Sequence, residues 1–312
     1  MAYHTTPYLL LFLPAALLFY QITPAKWRSY TLLIFSYLFF WSFSEKLIIY
    51  LIGTTFLTHH ICIWMDTMDK RDKRKKRVFQ LGILLLLGTI LCLKYRNFFF
   101  GNVSKLAMVL HIDWSYQDQL IFLPIGISFY TLSAIGYMAD VYWGKVKAEY
   151  SLVKTALFLG FFPVIVEGPI CRWEDVEDTL FKNESVKAEN VFKGCYRIIW
   201  GLFKKMIIAD RLAVLVDKVY VGYESYSGAV IVVAAISYTI QLYMEFSGCM
   251  DMVIGSAGLF GIRLPENFSQ PFFAKTCTDF WKRWHITLGV WFKNYIFYPV
   301  SISKTARKWN KF

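Results

Sequence analysis

The chain has 312 residues, of which 56% are hydrophobic, 19% aromatic and only 18% charged. Soluble domains are about 25% charged, so this composition excludes an ordinary soluble domain, a disordered chain and a disulfide scaffold. It predicts a membrane protein.

The net charge of +12 lies in residues 70–77 and 280–312, which carry net charges of +6 and +7. Such clusters orient membrane proteins and attract anionic lipid headgroups, and without a soluble module they predict no nucleic-acid partner.

Apolar stretches long enough to cross a bilayer, or nearly so, follow one another along the chain. A span needs about 20 mainly apolar residues, and shorter pieces are tolerated where protein surrounds them. No internal repeat or soluble appendage interrupts the series, so we predict one transmembrane domain over residues 1–312, with an all-α polytopic fold. The eight or nine predicted spans are 8–22, 30–43, 47–65, 78–93, 119–138, 152–166, 191–209, 229–246 and 250–262.

The basic residues also predict an orientation. If block 70–77 is cytoplasmic, Lys26 and Arg28 fall on the same side, because two predicted spans separate them from the block. The N-terminus would then lie outside, and the first apolar stretch is a retained span because it lacks a basic region before it and a cleavage site after it. Further along, Gly168-Pro169 and charges within apolar runs predict re-entrant or tilted helices.

Few ionisable side chains lie within the apolar runs. Glu167 ends one run, and Glu245 and Asp251 flank a small-residue stretch that permits close helix approach. Such groups are functional candidates by default, and carboxylates in broken helices would suit a transporter. The alternative is a carboxylate that caps a helix or pairs with a neighbouring arginine.

Neither the cysteines nor the paired histidines predict a metal site. The six cysteines are scattered and form no C-x-x-C pair, so no disulfide framework or zinc site is indicated. His59, His60, Cys62 and Asp66 have ligand-type side chains at helical spacing. We favour interfacial histidines at the end of a span, because a basic cluster follows them.

His285 has a more suggestive setting, in the aromatic and basic stretch 279–288. We predict a helix here, with Trp281 and Gly289 one turn away on either side of the histidine. A neutral imidazole in a water-poor site can act as a general base because its pKa lies near neutrality. The alternative is an interfacial histidine in an aromatic belt.

Five ordered motifs then suggest a family. They are L-P-I-G-I-S-F-Y-T at 123–131, F-F-P at 161–163 with G-P-I at 168–170 and Arg172, F-S-G at 246–248 with Asp251, R-L-P-E-N-F at 263–268, and D-F-W-K-R-W-H-I-T-L at 279–288. In this order they resemble the membrane-bound O-acyltransferase (MBOAT) family. The bacterial branch with alginate O-acetylase and the teichoic acid D-alanyl transfer protein is the most similar, over core motifs 120–300.

The resemblance implies an MBOAT-like helical bundle in the bacterial cytoplasmic membrane, with His285 as the catalytic position that matches the first of two family histidines. Asp279, Arg283 and Asn267 would position or hydrogen-bond it. The second histidine, which in the family follows in a W-H-G context and is usually regarded as the base that activates the acceptor hydroxyl, does not occur in this chain. Lys293-Asn294 also replaces the usual Arg-Asp. We therefore expect either a C-terminally truncated fragment of a longer acyltransferase or a short relative with lost or altered chemistry.

The implied reaction moves an acyl group from a cytoplasmic thioester donor to a hydroxyl of a cell-surface polysaccharide or of a secreted or membrane-anchored partner protein, with no bound cofactor. The donor would be acetyl-coenzyme A or an acyl carrier thioester, the latter giving D-alanylation of teichoic acid. We favour acetyl transfer, because stretch 263–268 looks closer to alginate O-acetylase. The rival from another class is a non-catalytic protein, a transporter or an acyltransferase-like scaffold.

Overall fold

The structure is a computed structural model that describes residues 2–69, 72–114, 116–117 and 123–302, and these residues are mainly helical. These residues contain no β-strand, and an isolated bridge pairs Phe268 with Trp284. The α-helices are α1 Leu13–Ile22, α2 Arg28–Ser44, α3 Ile48–Asp66, α4 Lys73–Lys94, α5 Arg96–Val109, α6 Ile127–Trp143, α7 Leu152–Gly160, α8 Trp173–Leu180, α9 Ala188–Leu202, α10 Asp210–Val221, α11 Gly228–Leu259, α12 Cys277–Arg283, α13 Ile286–Phe292 and α14 Tyr298–Ser301.

Three helical segments are long and apolar enough to cross a membrane, namely Ala25–Asp66, Lys73–Lys94 and Gly228–Leu259. Pro7–Ile22 is a shorter apolar helix. The prediction of an all-α membrane protein is confirmed. The number of spans, their orientation and the single domain stay predictions, and Lys70, Arg71 and the end of the second basic block lie outside the described residues.

Two compact units divide the chain, and we call them the split unit and the middle unit. The middle unit runs from Ser36 to Ile165, and in it α3 packs against α4, α6 and α7. The split unit combines the residues up to Phe35 with those from Val166 onward, and its core is α11 packed against α9 and α10. The candidate site residues all belong to the split unit.

Helices α9 and α11 approach each other closely through glycines. A Cβ atom on Gly201 would lie 2.5 Å from the carbonyl oxygen of Gly248, and one on Gly194 would lie 2.8 Å from that of Gly255. The predicted spans 229–246 and 250–262 are wrong as separate elements, because α11 runs unbroken through residues 247–249. The small residues at 247–249 permit the close contact between helices, as expected, and do not interrupt α11.

Other helix boundaries differ from the predicted spans for local reasons. The stretch predicted as 152–166 is helical only as far as Gly160, since Pro163 and Pro169 favour the turns that follow. Helix α6 begins at Ile127 after Gly126, whose φ is +78°, and residues 118–122 at the start of predicted span 119–138 lie outside the described residues. The stretch predicted as 191–209 is α9 continued by a π-helical segment, Phe203–Ala209.

Candidate active site

His285 lies at the junction between α12 and α13, so the prediction of one helix through 279–288 is wrong here. Its backbone adopts a left-handed conformation with φ 47° and ψ 51°. This conformation is uncommon for a residue other than glycine and ends α12 abruptly. Trp281 and Gly289, which we predicted to flank the histidine along one helix, therefore belong to different helices. Strained backbone of this kind is found at functional sites.

The loop before α12 pairs with this junction through its backbone. Ser269 donates its N–H to the carbonyl of Arg283 at 2.9 Å, and Ile286 donates its N–H to the carbonyl of Asn267 at 3.0 Å. Phe268 and Trp284 lie opposite each other between these two bonds. The junction that carries His285 is thus held against residues 267–269 on both sides.

Asn267 connects the loop to the histidine through its side chain. The residue is only 1% exposed, and its Oδ1 atom accepts the backbone N–H of Thr287 at 3.1 Å and the hydroxyl of Thr287 at 2.9 Å. The same oxygen lies 3.2 Å from Nδ1 of His285. Our prediction that Asn267 hydrogen-bonds around His285 agrees with this geometry.

These contacts fix which nitrogen of His285 carries the proton. A backbone N–H donates to Oδ1 of Asn267, so that atom is an oxygen and only accepts hydrogen bonds. Nδ1 of His285 must then be protonated in order to bond to it. In the neutral imidazole the lone pair therefore lies on Nε2, which is the arrangement that a general base requires.

An aromatic cluster contacts the imidazole through Phe246. The ring of Phe246 contacts His285 edge to face, with centroids 5.0 Å apart, and Phe268 contacts both Phe246 and Trp284 at 4.9 and 5.0 Å. Burial lowers the pKa of His285 below the usual value of an imidazole. The ring is consequently neutral at pH 7, with a basic Nε2.

Asp279 and Arg283 stabilise α12, and within the part of the chain that the structure describes neither side chain forms a hydrogen bond with His285. Thr276 caps α12 by accepting the N–H of Asp279 at 3.1 Å, and Nε of Arg283 donates to Oδ1 of Asp279 at 2.9 Å. The bond from Arg283 lowers the pKa of Asp279 and keeps it ionised. Their contribution is to hold the end of α12, after which the chain turns at His285.

Four of the five motifs converge on this junction. Ile170, from G-P-I, donates its N–H to the hydroxyl oxygen of Thr287 at 3.1 Å. Phe246 comes from F-S-G, Asn267 from R-L-P-E-N-F, and His285 from the last motif. The remaining motif, 123–131, and the F-F-P stretch at 161–163 belong to the middle unit.

The three carboxylates that we singled out lie in the split unit with partners. Asp251 receives Lys204 at 2.6 Å and Arg197 at 3.1 Å, so the alternative of pairing with an arginine is confirmed for Asp251. Lys205 binds Glu245 at 2.7 Å. Glu167 accepts the thiol of Cys249 at 3.2 Å.

Arg197, Lys204 and Thr287 are site residues that sequence reasoning missed. Arg197 and Lys204 lie on α9 and the segment after it, and they face a 330 Å³ cavity beside α11. Their partners are separated from them by about 50 to 70 residues along the chain. Only Thr287 had a local signal, because it lies two residues after the histidine in the matched motif.

The paired histidines of the middle unit diverge from each other. Nδ1 of His59 lies 3.1 Å from the hydroxyl of Thr155, whereas Nδ1 of His60 bonds to the carbonyl of Phe56 in its own helix at 2.8 Å. Among the residues that the structure describes, no three His, Cys, Asp or Glu side chains gather as metal ligands.

Comparison with known sequences decides the family. The profile of the MBOAT, membrane-bound O-acyltransferase family, matches residues 145–312, more than half of the chain. The chain belongs to this family. Its matched region begins after α6 and contains every candidate site residue.

Three relatives illustrate what this MBOAT chain is similar to. It is 33% identical over 297 residues to the probable alginate O-acetylase AlgI of Pseudomonas aeruginosa, covering 95% of this chain and 56% of that protein. It is 29% identical over 332 residues to the peptidoglycan O-acetyltransferase of Helicobacter pylori, covering 96% and 61%. It is 30% identical over 193 residues to the teichoic acid D-alanyltransferase of Bacillus subtilis, covering 60% and 48%. The chain therefore spans little more than half the length of the AlgI protein.

Proposed function

We propose that this chain is part of a membrane-bound O-acyltransferase that moves an acetyl group from acetyl-coenzyme A to a hydroxyl of a cell-surface polysaccharide. In this proposal His285 is the residue that accepts the hydroxyl proton. The protein would lie in the bacterial cytoplasmic membrane and bind its thioester donor from the cytoplasm. The acceptor would be the polysaccharide itself or a secreted or membrane-anchored partner protein.

The chemistry needs one proton acceptor with a free lone pair. The acceptor oxygen attacks the thioester carbonyl carbon while its proton passes to Nε2 of His285. The tetrahedral oxyanion then collapses, the C–S bond breaks, and the thiolate leaves and takes the proton from the imidazolium. Proton transfer of this kind contributes about 10²–10⁴-fold to rate.

The observation that carries the proposal is the contact between Asn267 and Nδ1 of His285. It holds the imidazole in the tautomer with a basic Nε2, in the way that a buried acceptor orients the base in other acyl-transfer sites. The lowered pKa of His285 keeps this nitrogen unprotonated at pH 7.

The choice of acetyl as the acyl group rests on the relatives. The O-acetylases of this comparison align over 95% or more of the chain, whereas the D-alanyltransferase of Bacillus subtilis aligns over 60%. D-alanyl transfer from a carrier protein to teichoic acid is the second candidate, because that relative is 30% identical.

The test uses the complete protein expressed from its native locus. Membranes receive either radiolabelled acetyl-coenzyme A or D-alanyl carrier protein, and label in the cell-surface polymer fraction is measured. We expect incorporation from acetyl-coenzyme A, its loss in His285→Ala, and normal incorporation in His111→Gln, a change of an exposed histidine outside the motifs. Incorporation from the carrier protein alone overturns the choice of donor, and unchanged incorporation in His285→Ala at normal membrane abundance overturns the role of His285.

A further inference from the structure

A cluster of four charged side chains lies beside the loop that carries Asn267. Arg197 on α9 makes two short bonds to the carboxylate of Glu266, at 2.7 and 2.6 Å, and donates its Nε to Asp251 on α11 at 3.1 Å. Lys204 completes the cluster by donating to the other oxygen of Asp251 at 2.6 Å. We call these residues, Arg197, Lys204, Asp251 and Glu266, the charge clamp.

The charge clamp is balanced and geometrically specific. Two cations meet two anions, so no net charge remains to attract a charged ligand. The pair between Arg197 and Glu266 is bidentate, and such pairs are stronger and more directional than a single-point contact. A lysine at position 197 would keep the charge but lose the planar fork that binds both carboxylate oxygens.

The backbone links the charge clamp to the candidate base in one step. Glu266 immediately precedes Asn267, whose carbonyl accepts the N–H of Ile286 and whose side chain contacts Nδ1 of His285. A displacement of Glu266 therefore displaces Asn267, and Asn267 determines the tautomer and direction of the imidazole.

The same ion pair also separates two cavities. Arg197 and Glu266 line both the 330 Å³ cavity beside Phe268 and Met250 and a 550 Å³ cavity beside Arg263. Met250 in turn accepts the side-chain N–H of Asn267 on its sulfur at 3.3 Å. Arg197 and Glu266 thus line the same cavity as Met250, which contacts Asn267 directly.

We infer that Arg197 is a positioning residue for acyl transfer: by clamping Glu266 against α11, it holds Asn267 in place and so keeps Nε2 of His285 available as the base. This inference rests on the proposed function. It assigns to Arg197 no contact with substrate, only the orientation of the imidazole.

The test combines activity with a chemical probe that does not depend on activity. Diethyl pyrocarbonate modifies the lone pair of a neutral imidazole, and mass spectrometry of the complete membrane protein gives the modification rate of each histidine. In Arg197→Met we expect the rate at His285 to change by about threefold or more while the rate at His60 stays constant, and kcat to fall by about tenfold or more with KM nearly constant. Arg197→Lys should behave like Arg197→Met.

Two further variants make the test sharp. Lys193→Met, one turn earlier on α9, removes an exposed ion pair with Glu189 and should change neither readout. Glu266→Gln should lower kcat, and combining it with Arg197→Met should add little, because both act through one contact. An unchanged rate at His285 and an unchanged kcat in Arg197→Met overturn the inference, as does full activity in Arg197→Lys. If His285 is not the base, the modification rate at His285 still changes in Arg197→Met, but His285→Ala keeps its activity. Failure of the proposed function can therefore be told apart from failure of the inference about Arg197.

Discussion

Replacing Asn267 with leucine tests the hydrogen-bonded centre of the site. Leucine has nearly the same shape as asparagine but offers no acceptor oxygen. The three donors that now meet at Oδ1 are the N–H and hydroxyl of Thr287 and Nδ1 of His285. Because Asn267 is 1% exposed, water does not readily replace the lost oxygen.

The magnitude follows from the two donors that cannot turn elsewhere. The hydroxyl of Thr287 can rotate to another acceptor, but its backbone N–H and the ring N–H of His285 are left without one. An unsatisfied buried donor costs about 1–3 kcal/mol. We therefore expect Asn267→Leu to lower the free energy of unfolding by about 2–4 kcal/mol, less than the full sum for two buried donors because the contact of His285 is only part-buried.

The assay is unfolding in mixed micelles by titration with sodium dodecyl sulfate, followed through the fluorescence of the 11 tryptophans. Asn102→Leu is the matched control, because Asn102 is exposed and its side chain donates to the carbonyl of Phe98 in its own helix. That change should alter stability by less than about 0.5 kcal/mol. Equal stability of the two variants would refute the reasoning about Asn267.

Two further outcomes are expected. Gly248→Ala should destabilise the protein by about 1–3 kcal/mol, because its Cβ would lie 2.8 Å from the carbonyl oxygen of Gly201. Gly258→Ala in the same helix is the control: its Cβ would have no neighbour within 4 Å, so the change should stabilise the protein by up to about 1 kcal/mol. The same titration compares the two variants, and equal effects would contradict the close packing of α9 on α11. Burial lowers the pKa of His285, so the rate of acetyl transfer should be constant from pH 8 down to about pH 6.5, the usual imidazole pKa. At lower pH the rate should fall as His285 becomes protonated. A rate that already falls between pH 8 and 7 would contradict a lowered pKa.

Hydrophobicity predicted most of the long helices well. The predicted spans 30–43, 47–65 and 78–93 correspond to α2, α3 and α4, because each is a continuous apolar run bounded by polar or basic residues. Hydrophobicity failed where other physics determines the structure. The small residues Ser247, Gly248 and Cys249 separated two predicted spans, yet the neighbouring helix α9 packs closely against Gly248 and α11 continues through them.

Helices α5, α8 and α10 were missed for a related reason. They are short or carry many polar residues, as in Trp173–Leu180, and so lack the long apolar run that predicts a span. In α8 the sequence did contain a local signal, an acidic residue three positions after the N-cap residue Arg172. This residue is Asp175, and its side chain accepts the backbone N–H of Arg172.

The candidate site was predictable only as a set of motifs. The resemblance drew attention to Asn267 and His285, but periodicity cannot bring together residues that lie 18 positions apart on either side of a loop. The pairing of Arg197 with Glu266 had no sequence signal at all, since 69 residues separate them. The left-handed backbone at His285 was equally invisible, because only a few per cent of non-glycine residues adopt that conformation, even though histidine is enriched among them.

The central claim is that Nε2 of His285 accepts the proton of the acceptor hydroxyl. The most direct measurement is single-turnover transfer of labelled acetyl groups in native membranes by His285→Gln, compared with His285→Ala. A glutamine amide reaches the position of Nε2 and can form a hydrogen bond, but it cannot take up a proton. The account predicts that the two variants are equally inactive. A His285→Gln protein that keeps a substantial part of the wild-type rate, at equal membrane abundance, would contradict it.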